Sequence, residues 1–273
     1  MIDITILSDN YVDVEGLTAE HGFSCLIKTG GLTVLFDTGQ GLSLANNLER
    51  LKLTPPFDIT VLSHGHYDHT GGLVKAMRDG KALSNKLFVS EDIFDNHLKL
   101  NTDGTFSFIG FDSDKESLER LYKLKMTDGK QEIAKNIFVC GPVPQYFPFS
   151  ADKNLYADTN AGTEKDPFRD EQFLVIDDGA LVVLTGCSHC GIMNVVEHTI
   201  KMFPEKKIRS LVGGFHLFRA TDTQVEEALN YLKSKNISNI CTGHCTGLDA
   251  LYKLKDALGE RVLMTKVGLQ AFV

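Results

Sequence analysis

The chain opens with short apolar or alternating runs. "IDITILSD", "FSCLIKTG" and "LTVLFDTG" are each closed by Gly, Asp or Asn, which predicts three strands. Leu44, Leu48 and Leu51 then recur at helical spacing. "PPFD" stops that helix, "ITVLS" is a fourth strand, "GGLVKAMRDG" a short helix and "KLFVS" another strand. Between about residues 91 and 131 the signals mix. "DKESLERLYKLK" predicts an amphipathic helix, and the region around "NTDGTFSFIGFDSD" is expected to be an irregular insertion or a small hairpin. "NIFVCGPVP" is a strand, and the polar stretch around 146–170 is expected to be a long loop.

From Glu171 onward the pattern is regular. Strands "QFLVIDD" and "ALVVLTG" turn at Gly179. A helix carrying Ile192, Val195, Val196 and Phe203 follows, then strand "RSLVGGFH". The next helix buries Val225, Ala228, Leu229 and Leu232, with Thr223 and Glu226 spaced as a capping box. "ISNICTGH" is a strand, a helix with Leu251, Leu254 and Leu258 ends at Gly259, and "RVLMTKVG" closes the chain. Strands dominate the first part and strand–helix alternation the second, with no linker between them. The expectation is an α/β (α+β) chain folded as a single domain over 1–273, two sheets packed face to face with helices outside.

Net charge of −8 and scattered Lys and Arg argue against a nucleic-acid partner. No run of eighteen apolar residues is present, and "MIDITILSDN" lacks the basic start of a secretion signal, so a cytoplasmic location without membrane contact is expected. The six cysteines then need not form disulfides. Cys187 and Cys190 are a C-x-x-C, but Cys241 and Cys245 make a poor second pair for a zinc ribbon.

The chemistry concentrates in "SHGHYDHTGG", where three of nine histidines fall within six positions. In an extended segment His64, His66 and Asp68 point the same way, and His69 points elsewhere. That suits two neighbouring metals, one on His64 and His66, the other on Asp68 and His69. Imidazole and carboxylate suit zinc, and equally iron or manganese. His189, His216 and His244 each follow an apolar run with a glycine nearby, so they are the further candidates at strand ends. His97 and His198 sit in helix-like contexts and are expected on the surface.

"HGHYDH" resembles the H-x-H-x-D-H signature of the metallo-β-lactamase superfamily, and the likeness extends over nearly the whole chain. "AEHGFS", "GCSHCGI", "GGFHL" and "GHCTG" look like the dihydropterin-ribofuranosylaminobenzene phosphate synthase-like group within it. The resemblance implies an αββα sandwich and two divalent ions, zinc foremost, on His64, His66, Asp68, His69, His189 and His244. It implies that Asp37 steadies the histidine loop. Two departures stand out. "GPVP" carries no histidine where the family's third one falls, and Cys187 stands where a bridging Asp is usual. That sulfur either binds metal or packs in the core. His21, Glu20, Asp170 and Glu171 are further residues that either shape the pocket or serve the fold.

The chemistry implied is hydrolysis of an ester-type bond in a small molecule, phosphorylated or pterin-like, by a metal-activated water. Asp68 would bind the second ion and orient the nucleophile, and His216 would protonate the leaving group. A nuclease or an iron redox protein on the same fold are the alternatives. The first wants a basic channel; diiron relatives put Glu where His66 stands.

Overall fold

Alternation along each central strand feeds two different cores. In β1 (Asp3–Ser8), Ile4 and Ile6 face one way and Leu7 the other; in β14 (Leu181–Thr185), Val182 and Leu184 face away from Leu181 and Val183. The structure, a computed structural model, describes residues 2–150, 152–159 and 162–273.

Among the described residues the strands form three sheets. The first runs, in spatial order, β18 (Gln270–Phe272), β1, β2 (Ser24–Thr29), β3 (Leu32–Phe36), β4 (Phe57–Val61), β5 (Ser84–Ser90) and β8 (Lys123–Thr127). The second runs β17 (Val262–Met264), β16 (Asn239–Thr242), β15 (Ile208–Gly213), β14, β13 (Phe173–Asp177), β10 (Ile137–Gly141) and β9 (Gly129–Ala134). Their inner faces share one core, in which Ile6, Ile27 and Val61 meet Ile176, Val182 and Val212. On the outer face of the first sheet, α1 (Leu44–Arg50), α2 (Tyr67–Arg78) and α3 (Lys115–Leu121) bury Leu48, Leu73 and Leu118 against Leu26, Leu35 and Leu87. On the outer face of the second, α4 (Ile192–Met202), α5 (Asp222–Ser234) and α6 (Leu248–Leu258) bury Val195, Leu232 and Leu254 against Val183, Leu211 and Ile240. Each such side chain contributes roughly 1.5–3 kcal/mol. The layers are the αββα sandwich expected from the sequence.

Sheet direction places the site. β3, β4, β5 and β8 are mutually parallel, as are β14, β15, β16 and β17. Asp37 follows β3, the histidine run follows β4, and His189, His216 and His244 follow β14, β15 and β16. All therefore gather beyond the carboxyl ends of parallel strands.

Four expectations change. The 146–170 loop contains strands: β11 (Leu155–Thr159) and β12 (Gly162–Lys165) join β6 (Asn96–Leu100) and β7 (Phe106–Phe108), which pair as the small hairpin expected in the insertion, in a third sheet of order β12-β11-β6-β7. His97, expected on a helical surface, lies in β6 opposite Ala157 and is buried, because pairing with a distant strand overrides the local pattern. The capping box of α5 is Thr221 with Gln224, not Thr223 with Glu226. The histidine run does not stay extended, since α2 begins at Tyr67 with His66 at its N-cap. His198 does lie on a helix, α4, half-buried with its Nδ1 2.9 Å from the Tyr146 hydroxyl.

Among the described residues no helix is long and apolar enough to cross a membrane.

Candidate metal centre

Asp37 organises the histidine run. Its Oδ1 accepts the Ser63 N–H at 2.6 Å, and its Oδ2 lies 2.7 Å from both the Ser63 hydroxyl and His69 Nδ1. The residue is fully buried with φ of 56°, a left-handed conformation that Asp tolerates better than most. Gly186 leaves room for this arrangement: a Cβ there would stand 2.0 Å from Ser63 Oγ. Ser188, His216 and His244 also have positive φ, so the strand-end loops that present the ligands share this strained backbone.

Because α2 starts within the run, its members divide differently from the extended expectation. His64 and His66 face His189: His64 Nε2 is 3.2 Å from His189 Nε2, and donor atoms of all three lie within 4.8 Å of one another. Burial, with the other histidines nearby, lowers the pKa of His64 and His189 well below the usual range. Burial and the adjacent His97 bring His66 down to about 3. The three rings are therefore neutral and offer lone pairs.

Asp68 turns the other way. Its Oδ2 is 3.2 Å from His21 Nε2, 3.4 Å from His244 Nε2 and 3.9 Å from His69 Nε2. Asn10 Oδ1, 2.9 Å from His244 Nδ1, orients that ring. Burial opposes charge on His244, yet Cys245 and Asp68 raise its pKa to about 9. Cys187 lies between the two clusters, its Sγ 3.1 Å from His69 Nε2.

Three consecutive residues tie the histidine loops to the second sheet. Asp170 Oδ2 accepts the Gly65 N–H at 2.6 Å. Glu171 accepts the His189 and Cys190 N–H groups at 2.5 and 2.9 Å. Gln172 donates to the Leu62 carbonyl at 2.7 Å. Asp170 also meets His97 Nε2 at 3.1 Å, while Asp166 holds His97 Nδ1 at 2.6 Å. Burial disfavours the charge on His97, but the two carboxylates offset it and raise the pKa to about 10. His97, Asp166, Asn10 and Gln172 escaped the sequence reading. Their partners lie tens to hundreds of positions away, and no short motif contains both ends.

Glu20 does not reach the cleft. It accepts the N–H groups of Gln40, Gly41, Leu42 and Ser43, closing the loop before α1. His21 and His216 do reach it. A cavity of about 300 Å³ is lined by His21, His66, Asp68, Cys187, His189 and His216, with Lys99 and Arg219 in its wall. An adjoining cavity of about 410 Å³ shares His189 and His216 and adds Phe149, Phe168 and Lys165. Phe168 lies flat on His189, ring centroids 4.4 Å apart and planes at 6°. Such volumes fit a small molecule.

The donors fit a divalent cation. His66 Nε2 and His244 Nε2 are buried and make no hydrogen bond with a described residue, and neither does either nitrogen of His216. Leaving such groups unpaired is costly, and a cation that accepts the Nε2 lone pairs of His66 and, in place of its proton, of His244 removes that cost. Imidazoles with a carboxylate alongside are suitable ligands for zinc and its neighbours.

Comparison with known proteins agrees. Residues 17–83 match the family model for the metallo-beta-lactamase superfamily. An uncharacterized protein of Methanocaldococcus jannaschii is 35% identical over 253 residues, 92% of this chain and 93% of that one. The 7,8-dihydropterin-6-methyl-4-(beta-D-ribofuranosyl)-aminobenzene-5'-phosphate synthase of the same organism is 30% identical, covering 91% of this chain and 89% of its own. The crystal structure of a metal-dependent hydrolase of the β-lactamase superfamily aligns with 100% of this chain and 99% of its own, at 30% identity and a TM-score of 0.86. This chain belongs to the metallo-β-lactamase superfamily.

Proposed function

We propose that the protein is a cytoplasmic, binuclear metal-dependent hydrolase that cleaves an ester-type bond (phosphodiester, thioester or lactone) in a small molecule. The observation that carries this is the convergence of neutral, buried His64, His66 and His189 on one point, open to a cavity that also holds Asp68 and His216. His64, His66 and His189 would hold one ion, and Asp68, His69 and His244 the second, with zinc foremost. Ions held there supply Lewis acidity and lower the pKa of water toward neutrality.

The side chains supply the rest. Asp68 receives the proton of the attacking water as the new bond to carbon or phosphorus forms. His216, free of other hydrogen bonds among the described residues, gives a proton to the departing oxygen or sulfur. Lys99 in the cavity wall favours an anionic substrate, Arg219 being paired with Asp152 at 3.0 Å, and the aromatic side chains of Phe149 and Phe168 in the lining favour a flat one. A phosphorylated or pterin-like molecule meets both conditions.

The similarity to a named synthase supports a second reading. A synthase of that kind differs from a hydrolase in the acceptor: an aromatic amine compound takes the place of water. Zinc-loaded protein is incubated with a phosphodiester, thioester and lactone panel, then with an activated dihydropterin ester with and without a ribosylated aminobenzene phosphate. Hydrolysis lost in His64→Ala and Asp68→Ala supports the first reading, and coupling in place of hydrolysis supports the second. Equal turnover by wild type and both variants contradicts both.

A further inference from the structure

We propose that Cys187 is a thiolate ligand at the position shared by the two ions. The inference rests on the binuclear reading above and deepens it: the usual oxygen bridge is replaced by sulfur.

Packing separates Cys187 from ordinary core cysteines. Cys25 and Cys241 sit in the core between the sheets, and Cys140 in the core beneath α4 to α6. Cys187 is just as buried, at 3% exposure, yet belongs to none of the apolar clusters among the described residues. Its surroundings are donors. Its Sγ lies within 4.8 Å of donor atoms in three separate groups: His64 with His69, His244 with Cys245, and His189 with His216. These lie on both sides of the centre, so one sulfur reaches the His64–His189 side and the His69–His244 side together.

The second observation is the set of unpartnered nitrogens around it. Buried His244 Nε2 and both nitrogens of His216 make no hydrogen bond among the described residues. The contact with His69 is equally telling. Asp37 Oδ2 lies 2.7 Å from His69 Nδ1, and across the ring Nε2 lies 3.1 Å from Cys187 Sγ; with its Nδ1–H donated to the carboxylate, the ring presents the Nε2 lone pair on the Cys187 side. Without a cation the thiol proton fills that gap. With one, sulfur and nitrogen both aim lone pairs at it, and one proton leaves for solvent with each thiol converted to thiolate.

The fold holds the sulfur in place. Cys245 Sγ donates to the Cys187 carbonyl at 3.5 Å. Gly214 makes room for Cys245, since a Cβ there would stand 2.4 Å from its sulfur. Cys245 is a positioning residue; Cys187 is the ligand. A thiolate in this position shifts the preference toward zinc, cobalt and iron and away from manganese and magnesium.

The test titrates metal-free full-length protein with Co²⁺ and records its absorption. The expected result is an intense near-ultraviolet sulfur-to-cobalt band that grows to two ions per chain. Cys187→Asp should still bind two ions but lose the band, and Cys190→Ser should keep it. X-ray absorption of the zinc-loaded wild type reads the same bond without mutation, as a sulfur shell at about 2.3 Å. Two bound ions with only nitrogen and oxygen neighbours, or a band that survives in Cys187→Asp, would overturn the thiolate inference and leave the metal centre standing. No bound ion at all would overturn both.

Discussion

Asp170 accepts the backbone N–H of Gly65 at 2.6 Å, across 105 positions of sequence. Gly65 lies between His64 and His66, so one carboxylate from the loop that leads into β13 of the second sheet fixes the spacing of two candidate ligands carried by the first. The same oxygen meets His97, which stands edge-on to His66 with ring centroids 4.9 Å apart. Outer partners of this kind aim ligands without touching the metal.

Asp170→Ala should therefore do two kinds of damage. It strips one partner from a buried, charged cluster, with an expected loss of about 3–5 kcal/mol in chemical denaturation. It also frees the loop, with an expected fall of about 10–100-fold in zinc affinity by competition with a chelator. Unchanged affinity in a folded Asp170→Ala protein would show that this carboxylate serves stability alone.

His97 sets a pH signature in the metal-free protein. Its pKa is raised from 6.5 to about 10, so the folded state holds a proton that the unfolded chain releases. The stabilisation is full below about pH 6.5 and is lost as pH rises toward 10. Denaturant midpoints between pH 6 and 10 should fall in wild type and fall less steeply in His97→Gln, where His244, raised to about 9, still contributes a slope of the same sign. A wild-type curve with the same slope as the variant's would contradict this.

Gly186→Ala tests the contact between the two halves. The new Cβ would fall 2.0 Å from Ser63 Oγ and 2.9 Å from Asp37 Oδ2, both buried. A loss of about 1–3 kcal/mol is expected from overpacking, with weaker metal retention because the Asp37 network must shift. Thermal melts and metal analysis on the same sample check both effects.

Thr221→Ala is the contrasting case. Removing the α5 cap should cost about 1 kcal/mol and leave metal binding unchanged, since the cap serves only its own helix.

The contrast also shows what the sequence made legible. The H-x-H-x-D-H run could be read because its donors are adjacent, and Asp37 because its role follows from the resemblance. The layered sheets were visible because Ile4, Ile6, Val182 and Leu184 alternate with outward residues. The third sheet was not: β7 and β12 are exposed throughout and carry no alternation. The α5 cap was displaced because Thr221 with Gln224 and Thr223 with Glu226 have the same spacing. His97 was misjudged because its partners, Asp166 and Asp170, lie 69 and 73 positions away.

The most direct measurement is metal content by mass spectrometry on protein purified without a metal-chelating tag, beside His189→Ala and His244→Ala. The account predicts two divalent ions per chain in wild type, with zinc predominant, and a loss of about one ion in each variant. Wild type holding no more metal than the two variants would contradict it.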